Sequence, residues 1–596
     1  MTNPLNTLHI SSEKLKSLRH QFAELNLQGY LLPHNNEFRN EQLPVWDERL
    51  AWLTGFTGSA GFAAISLNQA AVFVDGRYTL QASQQIVAEL FQIKELSLDA
   101  IVNWLQSNLT SGSRVGVCGK HISVAEFDYI SQGLKEKNVE LIPTADYVAK
   151  IWSDRPSMSV DNMYLYPLKY AGESQEDKCH RLAEELKKRK IKTQVLTDSS
   201  SVSWLLNIRG NIIPQNTIVQ SYAFLHHDAS VDLFVDHTSF AMSDIANHLC
   251  DVRPHPVEAF ASELNNLKGP IQFNPLSLCY QYYQALNSAD AVRTKNDPVE
   301  KAKALKNPIQ QQCIRACHIR DGSAMIEFLA WLDKQKPDSL TELEIVQSIR
   351  QFRQSHAEFR DDSFNAIVGS GPNGAIVHYR VNHKSNRQCN QTDLLLIDSG
   401  AHYIDGTTDI TRTITLGHTT EQQRADYTMV LKALIRLSIA NWPEGTKSMG
   451  LDAITRYHHW QNGKDYEHGT GHGVGQFMDV HESPYMISKR SETSIPANIL
   501  TSIEPGYYRT GEYGIRLENL ALSKEVESTN HCSGLNFIQF ETITFVPFDN
   551  RMIDPSKMEK SEIAWLNSYH AKVLEIYHPN ISQRAQNWLV RSCEPL

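Results

Sequence analysis

Apolar and polar positions follow a helical period and a strand period in turn over roughly the first half of the chain. The earliest helical period is carried by Leu15, Leu18, Phe22 and Leu25. The apolar run at residues 29–32 is short enough for a strand, and a second strand pattern ends at Asp75. Short strands that alternate with helices are typical of the α/β class, which we therefore predict for this part of the chain.

A similar succession of patterns returns further along and indicates a diverged duplication. A helical pattern at 178–190 leads to a strand pattern at 193–197. Residues 204–210 (WLLNIRG) resemble the segment that starts at Trp52, and 233–236 (LFVD) resemble 72–75 (VFVD). We predict two α/β domains, residues 1–153 and 154–300, each close to a typical domain size.

From residue 301 onward the pattern predicts a third domain, 301–596, that mixes longer helices with sheet. One amphipathic helix is predicted at 311–333, a second opens at Thr341-Glu342, and another covers 421–440. Strands are predicted at 364–368, 375–378, 394–398 and 409–416. The region from 557 onward has helical patterns and no evident chemistry.

Composition narrows the class of protein. With 596 residues, 41% hydrophobic and 21% charged, the chain is long enough for several globular domains. The net charge of −10 argues weakly against nucleic acid or an anionic membrane as the main partner, and no apolar run approaches the roughly 20 residues of a membrane span. The first twelve residues do not resemble a signal peptide. Nine scattered cysteines without a CxxC pair predict reduced thiols and a cytoplasmic location.

Two aspartates mark the chemistry of the third domain. Asp398 ends an apolar strand pattern and Asp409 begins the next one, so a turn can bring them side by side. The Asp405-Gly406 turn signal is not centred between them, which predicts a longer loop or a bulge instead of a two-residue hairpin. Because two buried like charges raise one pKa steeply, the pair favours a bound cation.

Glutamates in two further strand patterns extend this set. Glu504 follows the apolar run 499–503, and Glu518 lies two residues after Arg516. The strand period places Arg516 and Glu518 on one face, where the arginine can orient a ligand carboxylate. Glu541 has an equally strand-like setting, and spacing alone does not exclude it.

The glycine-rich segment 468–475 (HGTGHGVG) has neither a GxGxxG pattern nor a Walker loop. Its alternating glycines allow the backbone to approach a bound group closely. Histidines four residues apart, His468 and His472, suit one metal ligand and one neighbour that donates to substrate. Oxygen-rich ligands with a single imidazole favour manganese(II) over zinc.

His378 follows the predicted strand 375–378, and His481 follows the glycine-rich segment. Beside a dimetal site, proton transfer or oxyanion stabilisation is the favoured role for such histidines. The sequence contains no GxSxG elbow, and no cysteine has a matching setting, so a covalent nucleophile is unsupported.

These motifs resemble those of the pita-bread metallopeptidases, the family of methionine aminopeptidase, prolidase and aminopeptidase P. The matching segments are 398–400 with 408–412, 468–475, 503–508 and 514–519. The resemblance implies metal ligands at Asp398, Asp409, His472, Glu504 and Glu518. It leaves Glu541 outside the site.

Over its full length the chain resembles the long, three-domain cytosolic aminopeptidases P, with two creatinase-like N-terminal domains before a pita-bread catalytic domain. Residues 54–61 and 75–78 carry the match in the first domain, and they make Arg77 a candidate substrate contact. The resemblance further implies two manganese ions and a homodimer formed through the catalytic domain.

The implied function is release of the N-terminal residue from peptides with proline in second place, by a water bridged between two divalent ions. Glu504 would shuttle the proton of that water, and His378 or His481 would stabilise the oxyanion. His481 or His468 would protonate the leaving proline nitrogen, beside a ring pocket that includes Tyr508. Candidate substrate contacts, besides Arg77, are His378, His468, His481, Tyr508 and Arg516. Two alternatives stay open: a prolidase restricted to Xaa-Pro dipeptides, and an inactive pita-bread protein that only binds peptides.

Overall fold

The computed structural model describes residues 4–159, 162–236, 243–286, 291–295, 297–526 and 534–596. The chain forms two compact units. One contains Met1–Leu168 with Glu173–Lys301, and the other contains Lys169–Gly172 with Ala302–Leu596. Across the described ranges, no helix combines the length and the apolar character that crossing a membrane requires.

The first sheet of the first unit has, within the described residues, six strands in the order β4-β3-β2-β1-β5-β6. The strands are β1 (Gly29–Pro33), β2 (Phe62–Ser66), β3 (Ala70–Val74), β4 (Gln92–Glu95), β5 (Arg114–Cys118) and β6 (Glu140–Thr144). The helices of this part are α1 (Pro4–Gln21), α2 (Arg49–Thr54), α3 (Thr79–Gln85), α4 (Leu98–Asn108), α5 (Val124–Lys135) and α6 (Tyr147–Ile151). Buried apolar side chains cover both faces of this sheet.

The next elements are a short ribbon of β7 (Tyr164–Leu165) with β9 (Ile208–Arg209) and a second sheet. That sheet consists of β8 (Thr193–Leu196), β10 (Tyr222–His226), β11 (Val231–Val235), β12 (Val252–Pro256), β13 (Ile271–Phe273) and β14 (Ala291–Arg293). The helices are α7 (Leu168–Ala171), α8 (Gln175–Lys188), α9 (Ser199–Leu205), α10 (Ser243–His248), α11 (Phe260–Asn266), α12 (Tyr280–Ala285) and α13 (Pro298–Ala304).

The two sheets share one topology, as a duplication requires. The second sheet has the order β12-β11-β10-β8-β13-β14, which is the order of the first sheet when strands are counted along the chain. Each corresponding pair also runs in the same direction, antiparallel for the first two ladders and parallel for the other three. Trp52 in α2 and Trp204 in α9 lie in the helices that follow the first strand of each sheet.

The second unit contains the remaining elements. Its strands are β15 (Phe359–Asp362), β16 (Ile367–Ser370), β17 (Leu394–Ser399), β18 (Ala401–Tyr403), β19 (Gly406–Thr407), β20 (Ile410–Thr415), β21 (Asn441–Pro443), β22 (Gly471–Gly473), β23 (Glu482–Ile487), β24 (Leu500–Ile503), β25 (Gly506–Arg509), β26 (Tyr513–Arg516), β27 (Asn519–Glu525) and β28 (Phe537–Thr542). Its helices are α14 (Pro308–Leu332), α15 (Glu342–Gln354), α16 (Glu421–Ser438), α17 (Ser448–Gln461), α18 (Lys560–Tyr577) and α19 (Gln583–Ser592).

Two sheets of this unit position the candidate site. Over the described residues, β16, β17 and β20 form one sheet, and the other has the order β21-β28-β27-β24-β22-β23. Helix α16 packs its apolar side chains into a core shared with β17 of the first of these sheets and with β24 and β27 of the second. Because this core fixes strands of both sheets against one helix, residues at the strand ends are held in place by buried apolar area.

Two predicted elements differ from the structure. Residues 371–375 form a short 3₁₀ helix and 376–378 a turn, so the predicted strand 375–378 is wrong and His378 lies on a turn. The reason is local, since the Gly-Pro-Asn-Gly sequence at 371–374 favours a tight turn. Helix α14 is buried on more than the single apolar face that an amphipathic helix has. Even Asp321 lies inside the core, where it accepts a bidentate pair from Arg353 at 2.8 and 3.1 Å.

Candidate metal centre

Asp398 and Asp409 meet where two antiparallel strands pair. Asp398 in β17 lies opposite Thr411 in β20. Asp409 precedes Thr411 by two residues, so the strand period places Asp409 on the same face as Thr411 and therefore as Asp398. The chain between β17 and β20 forms β18 and β19, and β18 pairs with both β15 and β19 in a separate sheet. The connection is therefore the longer loop that the off-centre turn signal predicts.

Glu504 and Glu518 lie opposite each other, one step beyond the last pair of the ladder between β24 and β27. The backbone N–H of Glu518 donates to the Thr411 carbonyl at 3.1 Å, and that of Glu504 donates to the Thr470 carbonyl at 2.8 Å. These bonds fasten the two glutamates to β20 and to the residue before β22. The second bond crosses from one strand end to the glycine-rich segment.

His472 is the middle residue of β22, which lies between β23 and β24. Its backbone N–H donates to Ser502 Oγ at 2.9 Å, and its ring Nδ1 lies 3.0 Å from the Gly473 carbonyl oxygen. Because a carbonyl only accepts, Nδ1 is the donor and Nε2 carries the lone pair that a metal uses. This Nε2 lies 3.6 Å from Asp409 Oδ2 and 3.5 Å from Glu504 Oε1.

The glycines on either side of His472 allow close packing of strands. A β-carbon at Gly471 would approach the Ser502 carbonyl oxygen to 2.1 Å, and one at Gly473 would approach the Glu482 carbonyl oxygen to 2.4 Å. Such contacts exclude any side chain at these two positions. These glycines therefore allow close approach of the neighbouring backbone. The sequence had suggested close approach of a bound group.

The structure brings the predicted ligand residues into one cluster. Asp409, His472 and Glu518 each offer a ligand atom, and these atoms lie within 4.8 Å of one another. Glu504 joins the cluster through its contact with His472, and Asp398 lies close enough for its charge to raise the pKa of both Asp409 and Glu518. Ligand atoms bound at about 2 Å to a shared ion are roughly 3 to 4 Å apart, so the spacing suits a metal centre.

The electrostatics of the cluster favour a cation. Burial raises the pKa of Asp409 well above the usual carboxyl range, and the charges of Glu518, Asp398 and Glu504 raise it further. Burial likewise raises the pKa of Glu518 well above its usual range, with Glu504 and Asp398 adding to the effect. The pKa of Glu504 rises to about 7, mainly through burial. Carboxylates packed this closely stay ionised only beside positive charge.

Three carboxylate oxygens provide an independent test of whether the cluster suits a metal ion. Asp398 Oδ1, Asp409 Oδ1 and Glu518 Oε1 are buried and have no hydrogen-bond partner among the described residues. A buried acceptor without a partner costs free energy, so such atoms are rare unless another group satisfies them. Divalent ions that prefer oxygen ligands would satisfy all three, and the donor set fits them.

Arg516 connects a candidate ligand to an aromatic residue. Its Nη2 donates to Asp398 Oδ2 at 2.5 Å, and its Nη1 donates to the Tyr508 hydroxyl at 2.6 Å. Only 2% of Arg516 is exposed, and the pKa of its guanidinium stays well above the usual value because the facing groups outweigh the effect of burial. The geometry agrees with the orienting role predicted for Arg516, while its role as a substrate contact stays a prediction.

His468 is held by groups of the protein at both ring nitrogens. Its Nδ1 donates to the Gly469 carbonyl at 2.8 Å, so its Nε2 accepts from the Tyr508 hydroxyl, also at 2.8 Å. Burial raises the pKa of Tyr508 to about 12, which keeps the hydroxyl protonated and able to donate. Both predicted site residues therefore belong to one hydrogen-bonded chain with Arg516.

The other two predicted histidines have different surroundings. His481 is exposed, and its ring centroid lies 4.3 Å from that of His472, with the rings nearly perpendicular. His378 is half-buried on the turn that follows the 3₁₀ helix. His481 thus lies directly against the cluster.

Arg77 and Glu541 each form an ion pair with a charged residue outside the cluster. Arg77 belongs to the first unit, where it donates to Asp75 at 3.0 and 2.7 Å; its role with substrate stays a prediction. Glu541 accepts a bidentate pair from Arg315 at 2.8 and 2.9 Å. That bond lowers the pKa of Glu541, in contrast to the carboxyls of the cluster, and gives Glu541 a structural partner.

Two hydroxyl residues of the site were not predicted from the sequence. The Thr411 hydroxyl donates to Glu518 Oε2 at 2.8 Å, and the Ser502 hydroxyl donates to Glu504 Oε1 at 3.3 Å. Each lies in a strand, two residues from a candidate ligand at the end of that strand: Thr411 follows Asp409, and Ser502 precedes Glu504. The strand period was the signal that pointed to them.

Family models match most of the chain. The model described as "Metallopeptidase family M24" matches residues 312–525, and that described as the C-terminal region of peptidase M24 matches 536–596. Two models described as "Creatinase/Prolidase N-terminal domain" match 14–151 and 154–310.

Individual proteins match over nearly the whole length. A protein of Coccidioides posadasii named probable Xaa-Pro aminopeptidase P is 36% identical over 609 residues, which cover 98% of this chain and 99% of that protein. Aminopeptidase P1 of Lotus japonicus is 33% identical, with coverage of 96% and 97%. Among solved structures, an X-prolyl aminopeptidase from Caenorhabditis elegans, described as a cytosolic enzyme with a di-nuclear active site, has a TM-score of 0.94 and 31% identity. That match covers 98% of this chain and 100% of that structure.

Proposed function

The chain belongs to metallopeptidase family M24, and from that premise we propose that it is an aminopeptidase that releases the N-terminal residue from peptides with proline in second position. The observation that carries the proposal is the buried cluster of four carboxylates and one imidazole, three of whose oxygens have no partner among the described residues. Relatives that span the whole chain and bear the name Xaa-Pro aminopeptidase support the choice of substrate.

Two divalent ions, which we assign as manganese(II), would be held by Asp398, Asp409, His472, Glu504 and Glu518. Manganese fits because the donor set is rich in oxygen and contains a single imidazole. When bound, the ions supply positive charge for the scissile carbonyl and an activated water. The donor set includes no thiolate, which a structural zinc site prefers.

The side chains around this set have separate tasks. Glu504, whose carboxylate lies beside His472 in the cluster, accepts the proton of the attacking water and passes it on. Arg516 keeps Asp398 in position, as the 2.5 Å bond between them supports. His378 stabilises the charge that develops on the carbonyl oxygen.

The proton donor to the leaving proline nitrogen is assigned to His481. His481 is exposed and packs against His472, whereas His468 donates its Nδ1 proton to the Gly469 carbonyl and accepts at Nε2 from Tyr508. An Xaa-Pro bond is a tertiary amide without an N–H, so protonation of its nitrogen assists the transition state more than substrate binding. His468, Tyr508 and Arg516 then shape the substrate pocket, and Arg77 contacts the peptide.

The proposed chain organisation has three domains, residues 1–153, 154–300 and 301–596. We place the protein in the cytoplasm, in agreement with the free state of the cysteines at described positions. A homodimer is proposed through the surface of α16 and α17 that exposes Ile439, Ile454, Tyr457 and Trp460. Contiguous exposed apolar residues of this kind mark protein interaction surfaces.

The test compares three peptide series on the manganese-loaded protein. Release of the first residue from Xaa-Pro-Xaa tripeptides should exceed release from Xaa-Ala-Xaa and from Xaa-Pro dipeptides. Equal rates with alanine would refute the preference for proline. Activity restricted to dipeptides would indicate a prolidase, and binding of Xaa-Pro-Xaa without cleavage in the presence of metal would indicate an inactive peptide-binding protein.

A further inference from the structure

Glu342 is a carboxylate with no exposed surface, at the first turn of α15. Thr341 caps this helix together with Glu344, so the capping task is already filled by another glutamate. A buried carboxylate requires partners that replace its lost hydration. The partners of Glu342 do not come from its own helix.

Four donors surround Glu342, and all belong to residues 370–387. The Ser370 N–H donates to Oε1 at 2.8 Å, and Asn373 Nδ2 lies 3.0 Å from both oxygens. The Arg387 N–H donates to Oε2 at 3.0 Å, and the Tyr379 hydroxyl lies 2.8 Å from the same atom. One side chain therefore holds both ends and the middle of this loop.

The loop is joined to strands that carry the candidate ligands, and its first residue, Ser370, pairs with Leu395, three residues before Asp398. Strand β16, which leads into it, pairs with β17 so that Ile367 lies opposite Asp398. The 3₁₀ helix of the loop also packs against β26, where a β-carbon at Gly514 would come within 1.8 Å of the Gly374 carbonyl oxygen. Arg516, which holds Asp398, lies two residues after Gly514 in that strand. His378 immediately precedes Tyr379, so the Glu342 contacts fix the backbone on which His378 is carried.

We propose that Glu342 is a positioning residue that acts through His378 by fixing loop 370–387 at the metal centre. The proposal rests on the proposed function, since it assigns His378 a part in that reaction. Glu342 reaches no reacting atom and has no exposed surface, so its effect passes through the loop.

Replacement by glutamine tests this role with little change in shape. The amide of Glu342→Gln turns one acceptor into a donor that faces other donors, so at least one loop contact is lost. Glu344→Gln is the matched control, because it removes the same charge from an exposed residue two positions away on the same helix. With an Xaa-Pro-Xaa tripeptide, Glu342→Gln should lower kcat by about 10- to 100-fold, the usual range for residues that support a site. Glu344→Gln should stay within about twofold of the original chain, and both variants should retain their metal.

Coupling to His378 distinguishes positioning from a general loss of structure. The double variant Glu342→Gln with His378→Ala should be no slower than His378→Ala alone, because residues that act as a unit are not additive. If kcat of the double variant fell by the product of the two single effects, the proposal would be overturned. Should Glu342→Gln fail to fold, Tyr379→Phe removes one loop contact without a charge change and should lower kcat in the same direction, again without further loss in the His378→Ala background.

Hydrogen exchange provides a readout that does not depend on the reaction. Amides within 370–387 should exchange faster in Glu342→Gln, or in Tyr379→Phe, than in Glu344→Gln, while those of β24 and β27 should not change. Unchanged exchange in the loop would overturn the proposal even if kcat fell. If the original chain failed to cleave Xaa-Pro peptides, the proposed function would be wrong. Faster exchange in Glu342→Gln would still show that Glu342 fixes loop 370–387.

Discussion

Arg516 donates to Asp398 from one guanidinium nitrogen at 2.5 Å and to the Tyr508 hydroxyl from the other at 2.6 Å. The planar fork of an arginine has the geometry to hold two partners at once, whereas the ammonium of a lysine is a single point of charge on a flexible stem. Because Asp398 Oδ1 has no partner among the described residues, Arg516 fixes one oxygen and leaves the other for a metal. The orientation of a candidate ligand thus depends on a side chain that does not itself bind the ion.

Arg516→Lys should lower metal affinity or activity by about 10- to 100-fold, the range typical of residues that orient ligands. The lysine keeps the charge but cannot reproduce both bonds. Isothermal titration of the metal-free protein with Mn²⁺, together with peptide cleavage, measures the effect. Arg315→Lys is the control, since Arg315 also forms a bidentate pair but with Glu541, which lies outside the cluster. Equal losses in both variants would contradict a role specific to the site.

Glu504→Gln should reduce turnover by several orders of magnitude, because it removes a ligand charge and the group that accepts the proton of the water. Glu541→Gln should affect metal content and kcat only slightly, since the carboxylate of Glu541 is paired with Arg315. Elemental analysis measures the metal content of both variants, and steady-state kinetics measure their kcat. A larger loss for Glu541→Gln would show that the wrong glutamate has been assigned.

Trp460→Asp should convert the proposed homodimer into monomers, because a charge at the centre of an apolar interface must be desolvated without a partner. Trp460 is 49% exposed on α17, beside exposed Tyr457 on the same helix. Sedimentation equilibrium measures the mass. Val590→Asp is the control, since Val590 is 46% exposed on α19, outside that surface. A monomeric original chain, or a dimer that tolerates Trp460→Asp, would contradict the proposed surface.

The predicted family is confirmed by relatives that cover the whole chain, and the predicted mixed α/β architecture is confirmed as well. Local patterns were sufficient where an apolar run or a helix start is clearly bounded along the chain. The apolar run that leads to Asp398 and the helix that opens at Glu342 are examples. The corresponding tryptophans, Trp52 and Trp204, likewise indicated the duplication that the two sheet topologies support.

The sequence was insufficient where a contact joins distant segments. Nothing near Glu342 shows that its donors lie in residues 370–387, and nothing near Glu541 shows that Arg315 pairs with it. The apolar residues before His378 gave a strand prediction because apolar runs have no period that separates strands from buried turns. Such contacts depend on the packing of whole elements and not on the sequence around any one of them.

The last prediction concerns the pH dependence of stability with and without metal. In the metal-free protein, burial and mutual repulsion raise the pKa of Asp409 and Glu518 well above their usual values and that of Glu504 to about 7. Unfolded carboxyls titrate near about 4, so between about 4 and 7 the folded state binds more protons than the unfolded state. The free energy of unfolding of the metal-free protein therefore falls as pH rises through this window.

Divalent ions replace those protons, so their stabilising effect should grow with pH. The difference in Tm between manganese-loaded and chelated protein, measured by calorimetry, should be larger at pH 7.5 than at pH 5.5. Glu541→Gln should leave this difference unchanged, because the bond from Arg315 lowers the pKa of Glu541, which moves its titration away from pH 5.5–7.5. In the chelated state, Glu504→Gln should lose less stability between these two pH values than the original chain, because it lacks the group that titrates at about 7. A Tm difference that stays constant from pH 5.5 to 7.5 would show that ions and protons do not compete for these carboxylates, and the assignment of the cluster as a metal centre would then be wrong.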